Sequence, residues 1–328
     1  MVRDLAQLPK AHLHLHLEGA MRPSTLADLA TAAGVAVPPV RGYTSFGEFG
    51  LQYRAASALI VTENDLRRVV REVVDDAADD GAVWVEPHFY PPRYVGKLGT
   101  ADEVLEIVLD EGQRAADRRG IGCGWIISAL RDFDPAQAME LAKLASRYAD
   151  AGVVSFGLAA DEALFPPEPF AEAFGIARDA GLISAPHAGE LAGPASVYGA
   201  LDALGARRIC HGVRAIEDPV LVERLATEEV VLDVCPTSNV MLAVVPSFEE
   251  HPLVRLLDAG VRCTLNGDDP LLFGPGLLGE YELARTTMGL SDERLAQLAR
   301  SSLVGSGAPP EFVDDGVERI EEWLTSAP

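Results

Sequence analysis

The sequence predicts a closed (β/α)8 barrel, the TIM-barrel architecture, with extra helices at its C-terminal end. Eight short apolar runs of strand length recur along the chain, each separated from the next by an amphipathic segment of helix length. Alternating β and α units build parallel sheets, and eight such units in 328 residues point to a closed barrel and not an open sheet. A doubly wound sheet would also want a glycine-rich phosphate turn after its first strand, where Gly19 stands alone.

The first strand lies in AHLHLHLEG, residues Ala11 to Gly19. Successive side chains of a strand point to opposite faces, so His12, His14 and His16 share one face while Leu13, Leu15 and Leu17 share the other. The bland reading is a solvated polar face. Surface strands, however, use Thr, Lys and Glu, whereas imidazole is the commonest metal ligand, and histidines two apart lean toward one ion.

After it, Pro23 and Ser24 open a helix that ends near Gly34. Pro38 to Gly50, rich in Gly, Pro and aromatics, reads as a loop long enough to serve as a flap over a ligand. A helical period (Leu66, Val69, Val70, Val73, Val74, Ala77) covers Glu63 to Asp80 and leads to the second strand, AVWVE, at 82–86. Helices at 101–119, 135–151, 169–181 and 194–204 then precede the strands IGCGWIIS (121–128), VVSFGLA (153–159), LISAPHAGE (182–190) and RICHG (208–212). Helices at 218–226 and 252–259 precede VVLDVCP and RCTLNGDDP, and the residues after Gly274 read as helices packed outside or beneath the barrel. Residues 1–328 are read as a single domain.

Composition sets further bounds. With 48% hydrophobic and 23% charged residues the chain can bury a sizeable core. A net charge of −23 and no basic patch argue against nucleic acid as a partner. Cys123, Cys210, Cys235 and Cys263 lie far apart without a CxxC and read as buried small hydrophobes in a reducing compartment. MVRDLAQLPK lacks the apolar core of a signal peptide, and no stretch is apolar enough to span a bilayer. The expectation is a soluble cytoplasmic protein with no membrane partner.

In such a barrel the chemistry sits at the C-terminal ends of the strands. There the chain places His14 and His16 (strand one), His187 and Glu190 (strand five), His211 (strand six), and Asp268 and Asp269 (strand eight), which includes four of its seven histidines. Three neutral imidazoles and a carboxylate suit zinc or another first-row divalent ion, with a position left for water whose pKa the ion brings near neutrality. His14, His16 and His187 would supply the nitrogens and Asp268 the oxygen. Asp268 and Asp269 would diverge in a regular strand, but a turn before Pro270 lets both face the pocket, one for metal and one to handle a proton. Glu190, enclosed in such a pocket, would have a raised pKa and could protonate a ring nitrogen; its alternative role is a carboxylate at a helix N-terminus. His211 is read as orienting the attacking water, with a satisfied core histidine as the alternative. His12, one step deeper, is read as packed or hydrogen-bonded, His88, at or just past strand two, as a residue that could touch ligand but is more often incidental in a loop, and His251 as a surface residue at a helix start. Glu280 and Tyr281 receive no role.

The segments LPKAHLHLHLEGAMRP, SAPHAGE, RICHGVRAIEDP, VCPTSNV and TLNGDDP, in this order, resemble the adenosine deaminase family of the amidohydrolase barrels, from about Leu8 to Pro310. The resemblance implies hydrolytic removal of a purine 6-amino group, giving a 6-oxopurine and ammonia, with one Zn2+ per chain and a small-molecule purine or purine nucleoside as partner. It implies zinc ligands His14, His16, His187 and Asp268, Glu190 as proton donor to N1, and His211 and Asp269 beside the attacking water. Substrate contacts would fall to His16, Glu18, Ala160 and Asp269. The HxE…PCxxC signature of the other zinc deaminases is absent. Departures fall on the substrate side. Glu18 stands where the family usually has Asp, and GLAADE stands where it has D-L-A-G-D-E, so Gly157 replaces an Asp and Ala160 a Gly. Alanine keeps the amide N–H but would strain a positive φ. FGLAADEALFPP also resembles the branches acting on adenine or aminodeoxyfutalosine, so adenosine, adenine and a 5′-extended adenosine all stay open. A two-metal amidohydrolase would want a lysine on strand four, which VVSFGLA lacks.

Overall fold

The computed structural model describes residues 2–326. Its barrel strands are β1 Lys10–His16, β2 Ala82–Phe89, β3 Trp125–Leu130, β4 Val153–Ala159, β5 Ile183–Ala188, β6 Arg208–His211, β7 Val231–Val234 and β8 Arg262–Leu265. Each pairs in parallel with the next. The seam between β8 and β1 closes just beyond the end of β8. There the His16 amide donates to Asp268 O (2.9 Å), the Asp268 amide donates to His14 O (3.0 Å), and Asn266 Oδ1 accepts from the amides of Leu13 and His14 (2.8 and 3.1 Å). The (β/α)8 barrel is thus closed by the backbone that carries the candidate metal ligands.

The helices form where the apolar period placed them. Glu63–Asp79 begins with a capping box in which Thr62 Oγ1 accepts from the Asp65 amide and the Asp65 carboxylate from the Thr62 amide. Its buried stripe is Leu66, Val69, Val70, Val73, Val74 and Ala77. Each Leu or Val so buried contributes about 1.5–3 kcal/mol. The last three helices, Leu277–Thr286, Asp292–Gly305 and Pro310–Thr325, complete the outer layer. Asp292–Gly305 lies against β1 and β8, and Ser302 Oγ accepts the Ala11 amide at 2.8 Å, so this helix covers the seam from outside. No helix among the described residues is long and apolar enough to cross a membrane.

Several expectations are corrected. β2 does not stop at Glu86 but continues through Pro87 to Phe89, which makes His88 a strand residue. The third run is broken at Gly124 into the two-residue strand Gly122–Cys123 and β3. The helix expected over 135–151 ends at Arg147 and is followed by a 3-10 turn, Ala149–Ala151. The Pro38–Gly50 segment is irregular only up to Ser45, whose side chain caps a helix, Phe46–Ser57. Gly47 and Gly50 disguise that helix in sequence, while Phe46, Phe49 and Tyr53 recur on the face that borders the barrel mouth. A short helix, Pro236–Met241, follows β7 where none was expected.

Beneath the mouth lies a buried ionic layer. Arg208 pairs with Glu86 (Nη1 to Oε2, 2.6 Å) and Asp233 (Nε to Oδ2, 2.9 Å), and donates from Nη2 to Leu13 O. Glu86 also accepts from Trp84 Nε1 and the Gly307 amide, and Asp233 Oδ1 from Thr264 Oγ1.

Candidate active site

At the C-terminal ends of the strands, the imidazole hydrogen-bond partners decide where the lone pairs point. His14 Nδ1 faces Asp233 O at 3.1 Å and His187 Nδ1 faces Leu158 O at 2.9 Å. A carbonyl only accepts, so both rings carry a proton on Nδ1 and turn Nε2 to the cavity. Those Nε2 atoms lie 3.1 Å apart. His16 Nε2 is 3.3 Å from His187 Nε2, and Asp268 Oδ1 is 3.3 Å from both His14 Nε2 and His16 Nε2. Four donors about 2.0–2.1 Å from a tetrahedral ion would stand about 3.3 Å from one another. His14, His187, His211 and Asp268 also form a cluster with ligand atoms within 4.8 Å of one another. His211 stands farther out than His16: its Nε2 is 3.8 Å from Asp268 Oδ2 and 3.5 Å from Glu190 Oε1.

Converging nitrogen lone pairs repel unless a positive charge lies between them. A proton on His14 can serve: burial opposes it, but Asp268 and Asp233 together outweigh burial and raise the His14 pKa. A divalent ion serves better, since it satisfies all four donors and displaces that proton. The donor set of three imidazoles and one carboxylate therefore fits zinc.

The carboxyls divide into two kinds. Burial would push Asp268 up, yet the imidazoles beside it hold it well below the ordinary range and thus ionised. Glu190 is pushed well above its ordinary value by burial, then by Asp268 and Glu162. Asp269 is likewise pushed well up by burial and by Asp268, and its Oδ1 has no hydrogen-bond partner among the described residues. Of the three carboxyls, Asp268 is thus shifted toward its charged form, and Glu190 and Asp269 are shifted toward their neutral forms.

Backbone strain collects in the same place. Ala160 (φ 80°), His211 (φ 64°) and Asp268 (φ 58°) all lie in the left-handed region, which costs a non-glycine residue about 1–2 kcal/mol each. Asp269 reaches the cavity because residue 19 is glycine: a Cβ there would stand 1.5 Å from Asp269 Oδ1.

These groups line a cavity of about 490 Å3 with His16, Glu18, His187, Glu190, Asp268 and Asp269 deep in it, Ala160 on its wall, and Tyr90 and Phe133 stacked at the rim. Every residue assigned to the site from sequence borders it except His14, which sits fully buried directly behind the other donors. Glu18, expected to meet a sugar, is already engaged: Oε2 accepts from Tyr53 (2.8 Å), Oε1 from Tyr94 (2.8 Å), and Arg93 Nε stands 3.5 Å away.

Sequence reasoning missed Tyr53, Tyr94 and Arg93, and also Glu162. The Glu162 carboxylate accepts the amides of Gly189 (2.5 Å), Glu190 (3.0 Å), Leu191 (2.7 Å) and Ala192 (3.0 Å), so it shapes the turn that carries Glu190. Arg131 was missed too; it donates to His187 O at 2.5 Å and Phe165 O at 2.7 Å. The run ADE after β4 was the only available signal for Glu162. His88 is buried, bonded through Nδ1 to Ser128 Oγ (2.7 Å), and borders the cavity, which corrects its reading as an incidental loop residue. Gly157 leaves room for that contact, since a Cβ would come within 2.6 Å of Ser128 Oγ. His251 is not on the surface: it is buried and meets Asn239, which meets His211. His12 is packed and accepts the Gly267 amide at 3.0 Å. Glu280 is buried, accepts the Thr237 amide, and is pushed up to about 8 by burial.

Comparison with known proteins gives the same picture. A Streptomyces coelicolor protein provisionally named an adenosine/adenine deaminase is 46% identical over 340 residues, covering 99% of each chain. An adenine deaminase from Arthrobacter aurescens superposes with a TM-score of 0.91 at 29% identity, covering 97% of this chain and 99% of its own. An amidohydrolase from Burkholderia ambifaria with bound zinc gives 0.87 at 26% identity, covering 98% and 92%. The adenosine deaminase family model matches residues 9–323, and the chain belongs to that family as a purine deaminase of the adenosine/adenine type.

Proposed function

We propose that this chain hydrolyses the exocyclic C6–N bond of adenine, with one zinc ion held by His14, His16, His187 and Asp268. The observation that carries the reading is a carboxyl, Glu190, buried beside four converging metal donors, where burial pushes its pKa well above the ordinary value. A bound divalent ion would supply Lewis acidity and lower the pKa of a water molecule. Glu190 holds a proton for a purine ring nitrogen, which makes C6 more electrophilic. Asp269, whose Oδ1 has no hydrogen-bond partner among the described residues, is placed to take a proton from water and pass it toward the leaving amine. A C–O bond forms at C6, the C–N bond breaks, and ammonia leaves.

Adenine is preferred to adenosine because both oxygens of Glu18 already accept a tyrosine hydroxyl. With Tyr53 on Oε2, Tyr94 on Oε1 and the Arg93 guanidinium 3.5 Å away, a ribose hydroxyl would have to share one of these oxygens with a partner already bound to it. The Arthrobacter aurescens neighbour, an adenine deaminase, supports this. A second reading, adenosine or a 5′-extended adenosine, is favoured by a cavity of about 490 Å3 that runs out to Tyr90 and Phe133. Ammonia release from adenine, adenosine, 2′-deoxyadenosine and aminodeoxyfutalosine, with metal content determined on the same preparation, decides between them. Preference for adenine supports the first reading, preference for a nucleoside the second, and no release by zinc-loaded protein from any of them removes both.

A further inference from the structure

The chain of contacts behind His211 begins at a backbone amide, which can only donate. The Leu253 N–H points at His251 Nδ1 (3.1 Å), so that nitrogen must present a lone pair and the single proton of neutral His251 sits on Nε2. Burial keeps this imidazole neutral, with a pKa lowered to about 4. His251 Nε2–H then faces Asn239 at 3.2 Å, and the atom receiving it must be the amide oxygen. This fixes the orientation of the Asn239 side chain without appeal to how its two atoms are assigned. The Asn239 NH2 is left facing His211 Nδ1 at 3.1 Å, which must accept. His211 therefore carries its proton on Nε2, the nitrogen turned to the site.

His14 and His187 show the opposite pattern. Carbonyls hold their protons on Nδ1 and leave Nε2 bare for a cation, whereas an amide group holds Nδ1 of His211 bare and leaves Nε2–H. The surroundings of His211 agree: Nε2 faces the ionised Asp268 Oδ2 at 3.8 Å, an oxygen that attracts an N–H and repels a lone pair.

We propose that Asn239 and His251 are positioning residues that lock His211 as its Nε2–H tautomer, so that His211 serves the site as a hydrogen-bond donor and not as a metal ligand or a proton acceptor. Asn239 belongs to the short helix Pro236–Met241 and His251 lies just before the helix Leu253–Asp258, so the loop between β7 and β8 sets the protonation pattern of a residue at the end of β6.

The test is ring-nitrogen NMR of the zinc-loaded protein labelled with 15N-histidine, with His211 assigned from a His211→Gln spectrum. The expected spectrum of the parent protein shows His211 protonated on Nε2 and bare on Nδ1. Asn239→Asp replaces the donor with an acceptor and should move the proton to Nδ1, leave one zinc per chain, and lower kcat by about 10- to 100-fold with KM within about twofold. His251→Asn keeps an acceptor for the Leu253 amide but loses the donor to Asn239, whereas His251→Gln can restore that donor; the glutamine variant should recover more kcat than the asparagine one. A parent spectrum with His211 protonated on Nδ1, or with Nε2 bare and bonded to zinc, overturns the proposal. The kinetic arm rests on the deaminase reading. Should that reading fail, the rate comparisons vanish and the spectrum is unmoved; should the tautomer assignment fail, the spectrum alone shows it.

Discussion

Two buried charged clusters share the barrel interior. In the lower one, Arg208 lies between Glu86 and Asp233, and the remaining oxygens of both carboxylates accept from Trp84, Gly307 and Thr264. The upper one, at the strand ends, gathers His14, His16, His187, Glu190, Asp268 and Asp269 around converging lone pairs, two carboxyls pushed toward their neutral forms by burial, and an Asp269 oxygen with no hydrogen-bond partner among the described residues. Burial is nearly complete in both, so desolvation does not separate them. The lower layer places opposite charges in contact; the upper gathers groups of like character and leaves some without partners. Unsatisfied buried groups cost stability, and they are also the groups with lone pairs and protons available for chemistry.

The sharpest way to break this contrast is to take the proton from the upper cluster without changing its shape. Glu190→Gln should keep one zinc per chain and lose turnover by about 10^3- to 10^4-fold, whereas His187→Ala should lose zinc as well. Unchanged turnover in the glutamine variant would end the role of Glu190 as acid. In the lower cluster, Arg208→Met strands two buried carboxylates and should cost about 3–5 kcal/mol in denaturant unfolding. Neutralising them together with it (Arg208→Met, Glu86→Gln, Asp233→Asn) should recover most of that loss. A cost below about 1 kcal/mol for the single change would show that the lower layer does not depend on its pairing.

His251 tests the contrast by pH. Its pKa is lowered from the ordinary 6.5 to about 4 by burial. Between those values the unfolded chain binds a proton that the folded chain refuses, so this residue's contribution is full above pH 6.5 and is lost as pH falls toward 4. The shift corresponds to about 3 kcal/mol at its limit. Urea unfolding from pH 7 to 4 should show a slope of stability against pH steeper in the parent than in His251→Asn, by up to about 1.4 kcal/mol per unit. Coincident slopes would mean that His251 is not buried in its neutral form.

Legibility in the sequence followed range. The strand period of two put His14 and His16 on one face, the amphipathic helices marked out eight units, and the polar residues at strand ends marked the mouth. These are local signals. The partners of Glu18 lie 35 and 76 residues away, at Tyr53 and Tyr94, and nothing local connects them. His251 precedes a proline in a polar stretch and so resembled a surface residue; its buried ring meets Asn239, on a helix that the sequence did not suggest. Pro87 reads as the end of a strand, yet it pairs with Leu15 and β2 continues to Phe89, so His88 was assigned to a loop.

The smallest expected effect concerns strain in the upper region. Ala160 holds φ at 80° on the cavity wall, where its resemblance to the family would place glycine. The left-handed conformation costs an L-residue about 1–2 kcal/mol, and glycine's extra freedom in the unfolded chain returns about 0.5–1 kcal/mol of that. Ala160→Gly should therefore raise stability by no more than about 1.5 kcal/mol, read as a higher urea midpoint at unchanged slope. The amide N–H stays where it was, so kcat/KM for the preferred purine should change by less than about twofold. A loss of stability would mean that the alanine methyl contributes more by packing than φ costs. A gain in stability accompanied by a shift from adenine toward adenosine would mean that the methyl, together with the occupied carboxylate of Glu18, helps exclude the sugar.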